Sequence, residues 1–268
     1  MDDSIRTTDD EFLEALDHIQ AGEYALALPI LGRLVAFEPA DDEIFETWID
    51  AHISLERYQK AIEIADAGIA QGRPRASLEL WKAVAYRKLE QPEQAEAAAR
   101  AALAVEPTFG AAIMFLSSIL EQQNRHQEAF EMCRRAAAEN PDDENLAFHA
   151  ISLADEMDLD EVVVDSAHAY LKRFGKSAAV LSLLGSAYLD RKENRKADRA
   201  FRDAVALEPD VADHHFNIVM AAMIRGDDAA ADAYLDKLAS RDEDLADRVA
   251  DAVDELLELV EKARSEGD

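Results

Sequence analysis

A chain of 268 residues in which 49% of the side chains are apolar has ample material for a packed core, which excludes a disordered segment. Its 57 acidic residues against 28 basic ones give a formal charge of −29. A surface potential of that sign repels phosphate backbones and anionic lipid headgroups, so nucleic acid and membrane surfaces are set aside as partners.

The acidity has two readings, because aspartate supplies 30 residues and lysine only 9. Either the anionic shell keeps the protein hydrated in a high-salt host, or it attracts a basic partner. A salt titration separates them: unfolding at low salt that added salt reverses is expected of adaptation, and full stability at low salt counts against it. The start, Met1-Asp2-Asp3-Ser4, lacks the cationic and apolar run of a signal peptide. The longest apolar stretch, Phe216 to Ile224, is about half the roughly 20 residues that span a bilayer. A lone cysteine, Cys133, cannot close an internal disulfide. Together these features predict a cytoplasmic protein.

Residues 1–7 are polar and are expected to fray. Beyond them a 34-residue step places alanine at Ala27, Ala61, Ala95, Ala129, Ala197 and Ala231, with Val163 breaking the series. The same step places Pro39, Pro107, Pro141 and Pro209 just past alanine-rich helical segments, where proline stops one helix and lets the next begin. The fullest copy runs from Ala178 to Val211, with Leu184-Gly185, Tyr188, Ala197, Phe201, Ala204 and Pro209 in sequence.

That pattern resembles the tetratricopeptide repeat (TPR) family, although Leu181 stands where the family often has tryptophan. The resemblance implies an all-α fold, a right-handed superhelix (α-solenoid) of about seven helix-turn-helix repeats. Anchored on Ala178, the repeats run 8–41, 42–75, 76–109, 110–143, 144–177, 178–211 and 212–245 without insertion. Gly185, Ala197 and Ala204 are small enough for paired helices to approach, and Tyr188 and Phe201 fill the gap. The copy at 144–177 departs most, with Ile151 at the usual glycine, Val163 at the usual alanine and Gly175 at the usual proline. Its turn carries five acids between Asp155 and Glu161, and weaker packing with altered curvature is expected there. Residues 246–268 are expected to form a C-terminal capping helix and tail, with Val249, Val253, Leu256 and Val260 as the docking stripe.

In the family the first helix of each repeat lines a concave groove in which partners lie. Carried onto this chain, those positions are Leu80, Trp81, Val84, Met114, Phe115, Phe148, Leu183, Phe216, Met220 and Met223. Such a stripe, with its adaptable methionines, suits a helix or peptide segment of another protein. Apolar residues at helical spacing also pack against the neighbouring repeat, the more so for Leu183 and Val84, whereas Trp81 and Phe115 are the better anchors. Glu46, Asp50, Glu121 and Asp155, with Glu43, Glu156 and Asp213, form an acidic rim that would steer a basic-flanked partner or simply face water. Some TPR proteins hold a chaperone's acidic C-terminus in a clamp of lysine, arginine and asparagine. Here those positions carry Phe12, Leu16, Thr47, Ser77 and Trp81, so no Hsp70- or Hsp90-type peptide is expected.

One basic island, Arg191 to Arg202, interrupts the acidic surface. Arg195, Arg199 and Arg202 share its helix face and offer a second dock for an acidic partner, or pair locally, Asp198 with Arg202. No catalytic residues, metal or cofactor are expected: glycines are scattered, and His214 and His215 lie about 100° apart on a helix. His149 reads as a polar contact in the groove and Cys133 as a small buried side chain. The leading expectation is an interaction adaptor or scaffold. The alternative is a self-assembling structural TPR protein, a homo-oligomer, and an enzyme is a distant third.

Overall fold

The computed structural model describes residues 8–36, 42–73 and 75–266. Pro39 and the expected frayed segment 1–7 lie outside them. Among the described residues every regular element is an α-helix. In order they are α1 (Thr8–Gln20), α2 (Tyr24–Val35), α3 (Asp42–Ser54), α4 (Tyr58–Ala70), α5 (Arg75–Lys88), α6 (Pro92–Val105), α7 (Gly110–Gln122) and α8 (His126–Glu139). There follow α9 (Glu144–Glu156), α10 (Asp160–Arg173), α11 (Ala178–Asp190), α12 (Asn194–Leu207), α13 (Ala212–Ile224), α14 (Asp228–Ala239) and α15 (Glu243–Glu266). No described helix is long and apolar enough to cross a membrane.

The turn that follows each odd-numbered helix through α13 is built the same way. One residue adopts positive φ: Gly22, Glu56, Glu90, Asn124, Asp158, Lys192 and Gly226, spaced by 34. Its N–H donates to the carbonyl three residues back, and the next N–H reaches five residues back. At Lys192 these bonds end on Leu189 and Tyr188, and at Glu56 on Ile53 and His52. Two orphan carbonyls are thereby satisfied and the chain reverses within two residues. Only two of the seven turn residues are glycine, although positive φ costs other residues roughly 1–2 kcal/mol. Other helix starts are capped by side chains, as where Asp143 accepts from the Leu146 N–H and Ser177 from that of Val180.

Two compact units divide the chain, 1–132 and 133–268, with the division inside α8. In the first, Phe45, Ile49, Ile62 and Leu78 centre one buried cluster and Ala27, Ile30, Leu31 and Leu34 another. In the second, each helix from α9 to α15 packs on the next, and α11 touches both α9 and α13. The pairing of α11 with α12 shows why small residues recur: a Cβ added at Gly185 would lie 2.4 Å from the ring of Phe201, which is 2% exposed. Ala197 and Ala204 are fully buried alongside it.

The region 144–177 keeps its core where looseness was expected, since Ile151 is 1% exposed and Val163 is fully buried. A cavity of about 680 Å³ opens instead between α8, α9 and α10, at Ala147. Ala147 lies one 34-residue step before Leu181, whose larger side chain is buried with Ala178 and Ala204. The last helix begins at Glu243, and Leu245, Ala246, Val249 and Val253 dock it on α13 and α14. Leu256 and Val260 do not dock as expected. With Leu257 and Leu259 they lie at least 36% exposed, because the helix continues past its seat.

Gly185→Ala tests the close approach. Helix propensity alone favours alanine by about 1 kcal/mol. The clash with the immobile Phe201 ring is expected to reverse the sign and lower Tm, by about 1–3 kcal/mol in stability. A higher Tm for the variant would show that the helices are not so closely placed.

Candidate functional site

The residues expected to line a groove lie on odd-numbered helices, and the structure sorts them. In the first unit Leu80, Trp81 and Val84 of α5 and Met114 of α7 are half-buried. Trp81 and Val84 pack against the cluster of Phe45, Ile62 and Leu78, so they are partly structural. Phe115 is only 9% exposed, and the Arg87 guanidinium sits over its ring at 4.1 Å. It is a seat for Arg87 rather than the open anchor expected of it; that stacking, with the bond from Arg87 to Ser118 at 3.2 Å, uses the face a partner would need. Leu80 and Met114 belong to neither cluster and keep accessible surface.

In the second unit Phe148, Leu183, Phe216, Met220 and Met223 are likewise half-buried. Phe216, Met220 and Met223 rest on the core that seats α15. The most regular feature is Leu80 and Met114 in one unit and Phe148 and Phe216 in the other, all at whole 34-residue steps and all half-buried. Each unit thus keeps two half-buried apolar side chains at that position of the repeat.

The acidic residues split in the same manner. Asp213 and Glu156 are exposed, while Glu46, Asp50, Glu121 and Asp155 are half-buried. Burial raises the Asp50 carboxyl above its ordinary range. Glu121 accepts from the Ser117 hydroxyl at 2.8 Å. Asp155 is pushed up to about 6, first by burial and then by repulsion from Asp190, Asp160, Asp158 and Glu156. Asp190 is raised as well, by burial and by the same two turn aspartates, Asp160 and Asp158. Four acids around Asp155 thus leave it a carboxylate that gains from any cation brought to it.

The basic island is largely engaged. Glu193 holds Arg191 and Lys196, and Lys196 also lies over the Tyr188 ring. Asp198 does not pair with Arg202 as its spacing suggests, because Arg225, just past the end of α13, takes it at 2.8 Å. Arg199 reaches Asp203 at 3.9 Å, and Arg195 and Arg202 are exposed. The signal the sequence hid was Glu79. This 5% exposed carboxylate bonds Arg75 and Lys82, and it stands three 34-residue steps before Leu181, where an apolar plug was expected. Desolvation works against the Lys82 ammonium, yet bonds to Asp66 and Glu79 outweigh it and raise its pKa. Cys133 is fully buried. Among the described residues no group of three or more His, Cys, Asp or Glu is arranged to hold a metal ion.

The family profile described as "tetratricopeptide repeat" matches residues 80–144 and 182–246. The chain is a TPR protein. No curated protein matches it in sequence. Among solved structures, a C-terminal part of a TPR protein from Cytophaga hutchinsonii aligns with TM-score 0.58 and 19% identity, over 73% of this chain and 78% of that one. MamA from residue 41 onward, of Desulfovibrio magneticus RS-1, aligns with TM-score 0.55 and 17% identity, over 63% and 97%. YrrB, described as a TPR protein with an unusual peptide-binding site, aligns with TM-score 0.54 and 15% identity, over 70% and 97%. At such identities the likeness is one of fold, and the TPR helix pairing described above is what the chains share.

Asp155 gives this TPR protein a pH signature. Its folded-state pKa lies above the ordinary value near 4, so the folded chain binds the proton more tightly than the unfolded chain does. The group therefore costs stability at neutral pH, and the cost fades as pH falls through 6 toward 4. Asp155→Asn is expected to stabilise the protein at neutral pH by on the order of 1 kcal/mol, after discounting for the half-exposed site, and to change nothing at about pH 4. Equal thermal melts at neutral pH would refute the assignment.

Proposed function

We propose that this TPR protein is an adaptor, working in the cytoplasm, that holds an apolar segment of another protein flanked by basic residues. The carrying observation is the recurrence of half-buried apolar side chains at one position of the repeat, Leu80, Met114, Phe148 and Phe216, on a chain of charge −29. Of seven repeats over 8–245, those of each unit would present their own stretch of such side chains, with Glu46, Asp50 and Glu121 as anionic flanks in the first and Asp155 in the second. Apolar anchors set affinity, and the acidic flanks chiefly raise the association rate. The description of YrrB as carrying a peptide-binding site lends support from a protein of the same fold.

A synthetic amphipathic helix with one leucine-rich face and lysines on its flanks is a suitable probe, with affinity read by titration calorimetry. Leu80→Ser is expected to weaken binding about tenfold, the loss of one apolar anchor, with Tm held. Trp81→Ala is expected to weaken it at least as much, but also to lower Tm because Trp81 leans on the core. Unchanged affinity in both variants would remove these side chains from the function.

The second reading, self-association, is favoured by one observation, the exposed Leu256, Leu257, Leu259 and Val260 of α15. Sedimentation mass that rises with concentration and returns to one chain in Leu257→Glu is its expected signature. A constant mass of one chain would end it.

A further inference from the structure

Within the second unit a cavity of about 300 Å³ lies between α12, α13 and α14. Its ten lining residues each fall two 34-residue steps after a residue of the cavity at Ala147, so the two are one architectural cleft met twice. What occupies the equivalent positions differs. In the earlier cleft Arg173 is held by Asp142, and Ala169 stands where the later cleft has Lys237. In the later one Arg202, Lys237 and Arg241 all line the cavity, and among the described residues none of the three has an ion pair or side-chain hydrogen bond.

Three unpaired cations around one hollow are unexpected in a chain with twice as many acids as bases. Three acids near Arg202 along the chain are drawn elsewhere: Asp198 to Arg225, Asp203 to Arg199, and Glu208 to His214 at 3.0 Å. The floor is apolar, from Val205, Ile218 and Leu238. Its polar edge is fixed by His215, which is 2% exposed. The Pro209 carbonyl can only accept, so Nε2 of His215 donates to it at 2.8 Å, the tautomer in which Nδ1 accepts the Tyr234 hydroxyl at 2.7 Å. With its proton committed inward, the Tyr234 hydroxyl has no hydrogen left to give an anion in the cleft, so the cations alone must supply those bonds. Burial raises its pKa, against the opposing field of Arg202 and Arg241.

We propose that this cleft is a second binding site, one that takes a single carboxylate of a partner protein carried beside an apolar side chain. Arg202 and Arg241 offer planar forks that match a carboxylate, Lys237 adds a third positive charge, and the apolar floor receives the neighbouring side chain. A long acidic tract is disfavoured, because residues beyond the cleft would meet the surface of a chain charged −29. An isolated acid between apolar residues satisfies both constraints.

The probe is the capped peptide acetyl-Leu-Glu-Leu-amide, with acetyl-Leu-Gln-Leu-amide as its neutral twin, titrated at physiological salt and followed by NMR. Shifts are expected to centre on Ile218, Tyr234 and Leu238, with the glutamine peptide about tenfold weaker, the scale of one lost charge-assisted hydrogen bond. R202Q/R241Q is expected to weaken the glutamate peptide by a similar factor with Tm unchanged, since both arginines are exposed. Leu80→Ser, which tests the groove, should leave this binding intact, so the two sites fail separately. Equal binding of the two peptides, an unaffected double variant, shifts centred elsewhere, or no shifts at all would each overturn the site.

Discussion

The architecture depends on a chain reversal completed in two residues by one backbone unit in the left-handed region. From Gly22 to Gly226 this unit recurs at 34-residue intervals, each time closing the last turn of one helix onto the start of the next. Because the reversal is so short, the paired helices must be antiparallel and close. Close pairing in turn demands that something on the shared face be small, as Gly185 is beneath Phe201. The alanine periodicity and the burial pattern of the odd-numbered helices both descend from that geometry.

How much of this could be read beforehand follows from which forces act locally. Helix pairing was legible because it repeats: Ala197, Ala204, Gly185 and Phe201 each answer a steric need that does not depend on distant residues. Side chains whose fate depends on a neighbour one repeat away were not. Asp198 lies four residues before Arg202, a good helical pairing distance, yet Arg225, in the turn after the next helix, takes it first. Phe115 reads as an anchor until Arg87 of the preceding odd-numbered helix is seen over its ring. Amphipathic spacing likewise marks Leu256 and Val260 as docking residues, but spacing cannot say where the seat on α13 and α14 ends.

The site residues show a related division of labour. Apolar positions at the 34-residue step remain half-exposed in each unit, while charged positions vary from copy to copy. The same cleft is lined by Arg134, Lys172 and an Arg173 engaged by Asp142 in one place, and by Arg202, Lys237 and Arg241 in another. The fold supplies a recurring surface, and individual substitutions such as Ala147, Glu79 and Lys237 decide what each copy of it can hold. For a scaffold shared by many unrelated functions, such departures from the pattern carry more information than the pattern itself.

The reversal between helices also constrains how such a chain can lengthen. A single residue inserted within a helix rotates everything beyond it by about 100°, carrying a buried face to solvent. The left-handed residue would then no longer meet its carbonyls. Growth that preserves both turn and core therefore comes in whole repeats, by duplication, and each duplicate arrives with a fresh copy of the half-buried apolar position and the cleft for substitution to diversify.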